Sequence, residues 1–192
     1  MLFDIMFIKV GEIMCYSFEE ILNQFQSTID DEIVHIKDFL DNRNQYNGIV
    51  FKEPKVFKCG EIGKFSEDSI FEGVYIFRVL ETRPIDSTTF NDVEYSSKLR
   101  NRDATSIDEK KIFYLGKSQN LAKRLNEHLF NSSRTTYSLK MNDSKRSGFM
   151  SSLEVVIFEL KAEYQIHDLI ILGSIETILH KYETPYVGSA RV

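Results

Sequence analysis

Residues 111–128 read Lys-Ile-Phe-Tyr-Leu-Gly-Lys-Ser-Gln-Asn-Leu-Ala-Lys-Arg-Leu-Asn-Glu-His, passing from β-branched and aromatic residues, through a glycine, into a helical pattern. Lys111 to Leu115 read as a strand ended by Gly116. Leu121, Leu125 and Leu129 recur every four residues and predict a helix over 121–130, capped by Ser118 or Asn120. Upstream, Gly73 opens a second strand, Val74 to Leu80. Downstream come a third strand, Leu153 to Leu160, and a largely apolar helix, Ile166 to Tyr182, stopped by Pro185. The order β-β-α-β-α predicts an α+β fold, a small antiparallel three-stranded sheet flanked by helices.

The N-terminal part has a different character. Ser17-Phe-Glu-Glu20 has the form of a capping box. Phe18, Ile21, Leu22, Phe25, Ile29, Ile33, Ile36 and Leu40 follow at near-helical spacing, so 18–43 is read as one long helix or two short ones, closed by Asn47-Gly48. Short strands are expected near 49–52 and 55–58. Residues 1–70 are read as a mainly helical accessory segment, and 71–192 as the core domain. Inside that domain, residues 82–110 form a polar insertion between the first two strands. Connections beyond about 12–15 residues are generally functional or mobile. A disordered insertion and a loop reaching a substrate groove are both open readings.

The 192 residues include 42% hydrophobic side chains, with 15 Phe and 9 Tyr, which excludes disorder of the whole chain. No apolar run approaches the roughly 18–20 residues of a membrane span. Asp4 stands where a signal peptide would carry positive charge, so an intracellular, cytoplasmic protein is expected. Cys15 and Cys59 lack a CxxC spacing and are read as small buried hydrophobes in a reducing compartment. The net charge of -5 argues against nucleic acid as a partner. Its distribution argues the other way, because residues 110–148 hold nine basic side chains against Glu127 and Asp143. Such a block is the footprint of a phosphate-contacting face or a solvated charged surface, and charge alone does not choose.

Gly73-Val74-Tyr75, then Tyr114-Leu115-Gly116, then Arg124 with His128, then Glu176 on the last helix stand in an order that resembles the GIY-YIG endonuclease superfamily. The resemblance covers roughly residues 72–189. It implies a metal-dependent endonuclease, a hydrolase of phosphodiester bonds in DNA or alternatively RNA, and the compact chain with its own accessory segments favours a restriction, defence or mobile-element role. It assigns Tyr75 as general base with Tyr114 as its partner, and Glu176 as the ligand of Mg²⁺ (or Mn²⁺). One such site cuts one strand, so a homodimer or sequential nicking is implied for a duplex.

The residue chemistry runs parallel to the resemblance. A phenol with pKa about 10 is mostly protonated at neutral pH, so a tyrosine base needs nearby cations, for which Lys117 and Arg124 are the candidates. Arg124 and His128, four apart, share a helix face. Arg124 suits a phosphate oxygen, and His128 a tyrosine hydroxyl or a proton relay. Without that pattern, two strand tyrosines are core aromatics, and Arg and His on a surface helix are solvated. Glu176 is nearly alone among apolar residues, with Gly173 one turn earlier. Lys117, Lys123, Arg124, Arg134, Lys140, Lys145 and Arg146 are the expected nucleic-acid contacts, whereas His35, His167 and His180 are read as structural. Gly188 stands where the family usually has Asn, and the insertion replaces its usual short hairpin. Gly188 and the acidic total keep a second reading alive, a catalytically weakened module that binds nucleic acid or a protein.

Overall fold

In the computed structural model the described residues are 5–9, 12–16, 18–42, 45–66, 72–85, 89, 106–130, 138–144 and 146–187. Their elements are β1 (Ile5–Lys9), β2 (Glu12–Tyr16), α1 (Phe18–Asn42), β3 (Lys55–Lys58), β4 (Gly73–Val79), β5 (Arg83–Pro84), β6 (Ser106–Ile107), β7 (Ile112–Ser118), α2 (Leu121–Leu129), α3 (Ser147–Met150), β8 (Leu153–Glu159) and α4 (Asp168–Tyr182). A 3₁₀ helix, Ala162–His167, leads into α4. The chain divides into two compact units, residues 1–50 and 51–192.

In the first unit β1 and β2 form an antiparallel ladder that the sequence reading did not anticipate. The expected helix over 18–43 is one continuous element, α1. Ser17 lies outside the described residues. Ile29, Ile33, Ile36 and Leu40 form the buried stripe of α1. Glu32 in that stripe is also fully buried. Its carboxylate accepts from the Tyr46 hydroxyl and from the N–H groups of Ile49 (2.6 Å) and Val50 (2.9 Å), which satisfies a charge that burial would otherwise penalise.

The second unit is built on an antiparallel sheet with strand order β3-β8-β4-β7. Four strands replace the expected three, because Lys55–Lys58 pairs with Glu154–Ile157. Residues 51–66 therefore belong with the sheet, and the division expected near residue 70 falls after residue 50. Strand alternation sorts the core. On one face Tyr75, Phe77, Val155 and Ile157 cluster with Leu121, Leu125 and Leu129 of α2. On the other, α4 packs against β4 and β7 and buries Ile171, Leu172, Ile175 and Leu179. The insertion is closed at its base, where Arg83 pairs with Ile107 and Pro84 with Ser106. Most of its length, 90–105, lies outside the described residues.

Gly116 does not end its strand, as the sequence suggested, but sits inside β7, which runs on to Ser118. Gly73 has an equally local cause. A Cβ there would lie 2.0 Å from the Phe158 carbonyl oxygen, which is backbone and cannot move aside. Gly73→Ala is therefore expected to lower unfolding free energy by about 1–3 kcal/mol, the usual cost of overpacking. Gly63→Ala, where a Cβ meets nothing within 4 Å, should stay within about 0.5 kcal/mol of wild type. Urea unfolding of the two variants checks this, and equal midpoints would contradict it.

Candidate active site

The register of β4 against β7 sets the site. Tyr75 pairs with Gly116 and Phe77 with Tyr114, all on the α2 face, while Val74 pairs with Lys117 on the opposite face. A Cβ at position 116 would lie 2.4 Å from the Tyr75 Oη and 2.7 Å from its Cζ. The Tyr75 ring thus lies across the space where any other residue would carry a side chain. Tyr114 stacks beside it, with ring centroids 6.0 Å apart and planes 24° apart.

Helix α2 covers these rings. Asn120 is its cap, accepting from the Lys123 N–H at 2.9 Å. Leu121, Leu125 and Leu129 anchor the helix, which turns Arg124 and His128 toward Tyr75. The Tyr75 hydroxyl, 1% exposed, lies 2.9 Å from His128 Nε2 and 3.4 Å from Arg124 Nε. The Leu139 N–H donates to His128 Nδ1 at 2.9 Å. A backbone N–H only donates, so Nδ1 holds the lone pair and Nε2 carries the proton of the neutral ring. His128 therefore donates to Tyr75. Burial, and then the Arg124 charge, hold the imidazole well below its ordinary 6.5, which keeps it neutral.

Burial also pushes the Tyr75 phenol well above its ordinary value of 10; Tyr114 adds to the rise, and Arg124 opposes it. Of the two cations expected to favour the phenolate, Arg124 lies beside Tyr75 and lowers its value, while Lys117 is not among the groups that act on it. Arg124 is already paired with Glu127, Nη1 to Oε2 at 3.0 Å, and presents a compensated charge. Lys117 faces the other side of the sheet. There its Nζ lies 3.7 Å from Glu176 Oε2, and Gly173 makes room for it, since a Cβ at 173 would come within 2.9 Å of that Nζ.

The structure therefore gathers the expected residues into two groups bordering β7, the outer strand of the sheet. Tyr75, Tyr114, Arg124 and His128 lie on the α2 face, and Lys117 with Glu176 on the α4 face. Past α4, the N–H groups of Tyr186 and Val187 bond the Ile112 and Phe113 carbonyls along the outer side of β7. Gly188 follows and lies outside the described residues, as do Arg134 and Lys145. Lys123 is exposed and Lys140 half-buried. Arg146, expected on a nucleic-acid face, is 2% exposed and donates to backbone carbonyls. Counting charges along the sequence could not reveal which were already engaged. Glu127 and Leu139 escaped the sequence reading because one looks like a solvated helix acid and the other acts through its backbone.

Among the described residues no group of three His, Cys, Asp or Glu side chains gathers as a metal site. Glu176, with 19% side-chain exposure, offers a hard oxygen ligand. That fits a cation such as Mg²⁺, which keeps several waters and takes one or two carboxylates.

Residues 51–192 thus form a small α+β domain, an antiparallel sheet covered by helices, with the tyrosine cluster beside its outer strand. Residues 103–169 match the family model of the GIY-YIG catalytic domain, a match that supports membership of the GIY-YIG superfamily. The matched stretch holds Tyr114, Arg124 and His128; Tyr75 joins them through strand pairing, and Glu176 contacts Lys117. No curated protein and no solved structure matches the chain. Among the described residues no helix is long and apolar enough to cross a membrane.

The buried histidines make a measurable prediction. His128 and His180 both have folded-state values below 6.5, lowered chiefly by burial. The unfolded chain binds protons first, so their contribution is intact above pH 6.5 and is lost as pH falls toward the folded values. Stability should drop by up to about 1.4 kcal/mol per pH unit for each histidine. His128→Gln should show a shallower drop between pH 6.5 and 5 in urea unfolding, and an unchanged slope would contradict this reading.

Proposed function

We propose that the chain is a divalent-metal-dependent endonuclease that hydrolyses phosphodiester bonds in DNA, with Tyr75 as its general base. The observation carrying this reading is the convergence of two N–H donors, from His128 and Arg124, on one buried tyrosine oxygen. A buried structural tyrosine needs a partner for its own O–H. Tyr114 is such a partner and favours the phenol, while the two donors aimed at the oxygen favour the phenolate once its proton has left. The preorganised cost of desolvation is then offset by hydrogen bonds that strengthen as charge develops.

In the proposed reaction the Tyr75 phenol first loses its proton to solvent, and the phenolate then takes a proton from the water that attacks phosphorus. The leaving 3′-oxygen departs opposite and is protonated by solvent. Arg124 exchanges its Glu127 partner for a phosphate oxygen, which its planar fork suits. Tyr114 walls the phenol from solvent through ring stacking. Glu176 would hold the Mg²⁺ or Mn²⁺, whose Lewis acidity supplies neutralisation of phosphate charge. Lys117 beside it places a second cation on that side of β7. Among the described residues, the exposed Lys123 and the half-buried Lys140 are the remaining candidates for backbone contacts along the substrate. One site cuts one strand, so duplex cleavage calls for two copies or two successive nicks. The second reading, a module that binds without cutting, draws on Arg124 being held by Glu127 and on Tyr75 keeping its proton.

Nicking of supercoiled plasmid in Mg²⁺ tests the proposal. Wild type should cut, and Tyr75→Phe and Glu176→Ala should each lose about 10²–10⁴-fold while remaining folded. Because the Tyr75 value lies above 10, kcat/KM should rise about tenfold per pH unit without levelling below about pH 10. Salt-sensitive DNA binding with no cutting in any divalent metal would favour the binding module and sink the enzyme reading.

A further inference from the structure

Arg146 is among the largest fully buried side chains of the protein, with 2% exposure. A buried guanidinium is tolerated only where hydrogen bonds replace its water. Here Nε donates to the Thr89 carbonyl at 2.8 Å and Nη1 to the Leu139 carbonyl at 3.0 Å. Thr89 belongs to the insertion between β4 and β7. Leu139 is the residue whose own N–H meets His128 Nδ1. A third bond, from the Met141 N–H to the His128 carbonyl at 2.8 Å, holds the same short segment along the end of α2.

We propose that Arg146 is a positioning residue: by gripping Leu139 it keeps the Leu139 N–H on His128 Nδ1, and so fixes the ring proton on Nε2, aimed at Tyr75. Through Thr89 the same side chain ties the start of the insertion to this relay. The catalytic consequence rests on the assignment of Tyr75 as general base; the tautomer itself does not. The two tautomers have opposite effects. With the proton on Nε2, histidine donates and supports a phenolate. With the proton on Nδ1, Nε2 would offer a lone pair and take the Tyr75 proton as an acceptor, which favours the neutral phenol. A neutral histidine thus needs an outside group to select its tautomer, as oriented imidazoles generally do.

Long-range ¹H–¹⁵N correlation spectra of the full chain test this directly. Wild-type His128, assigned by its loss in His128→Gln, should show a protonated Nε2 and an unprotonated Nδ1 near pH 7.5. Arg146→Met should give a mixture of tautomers or the reversed one, and should lower kcat by on the order of tenfold with little change in KM. Arg146→Lys, which keeps an N–H donor, should return the ring toward Nε2 protonation and serves as the test should Arg146→Met fail to fold. A wild-type ring protonated on Nδ1, or a folded Arg146→Met with the tautomer unchanged, overturns the proposal. An Arg146→Met ring that switches tautomer in a protein that cuts no DNA upholds the positioning role while the nuclease reading falls.

Discussion

The contact on which the site depends is the crossing of the Tyr75 ring over Gly116. Strand pairing brings the two residues opposite each other, and the missing Cβ leaves room for the ring. With the ring lodged there, its oxygen reaches the face of α2 that carries Arg124 and His128. A side chain at 116 would displace the ring, and the oxygen would leave its two donors. The glycine in Tyr114-Leu-Gly116 thus acts by steric permission inside a strand. Gly73 does the same against the Phe158 carbonyl at the mouth of β4. Both tripeptides therefore have a packing cause beneath their chemical one.

Low dielectric gives this arrangement its character. Burial favours the neutral forms of both Tyr75 and His128, so the resting cluster holds a phenol and a neutral imidazole rather than an ion pair. Arg124 carries the charge, and Glu127 compensates it. Under the proposed function, an incoming phosphate would take over the arginine that Glu127 holds. On the other side of β7, Lys117 and Glu176 compensate each other in a comparable way.

Much of the fold was legible because its signals are local. The strands around Tyr75, Tyr114 and Val155 and the helix from Leu121 follow from side-chain type and spacing, and the structure places all of them within a residue or a few. What escaped is long-range. Nothing in Lys55–Lys58 announces that it pairs with β8, and a glycine in a strand reads as a terminator unless the ring across from it is known. The site shows the same division. That Tyr75, Tyr114, Arg124 and His128 meet follows the order in which they stand in the sequence, but the separation of Lys117 from the tyrosines depends on register. Arg146 read as a surface cation because sequence reports charge without burial, and Leu139 contributes only a backbone N–H.

The central claim is that both sides of β7 serve one phosphodiester, and the most direct measurement is a crystal structure with Mn²⁺ and an uncleaved phosphorothioate oligonucleotide. The account predicts an anomalous manganese peak on the Glu176 carboxylate, with a phosphate of the same strand hydrogen-bonded to Arg124 and adjacent to the Tyr75 hydroxyl. Manganese bound away from Glu176, or a strand that runs past with Arg124 still held by Glu127, would contradict it.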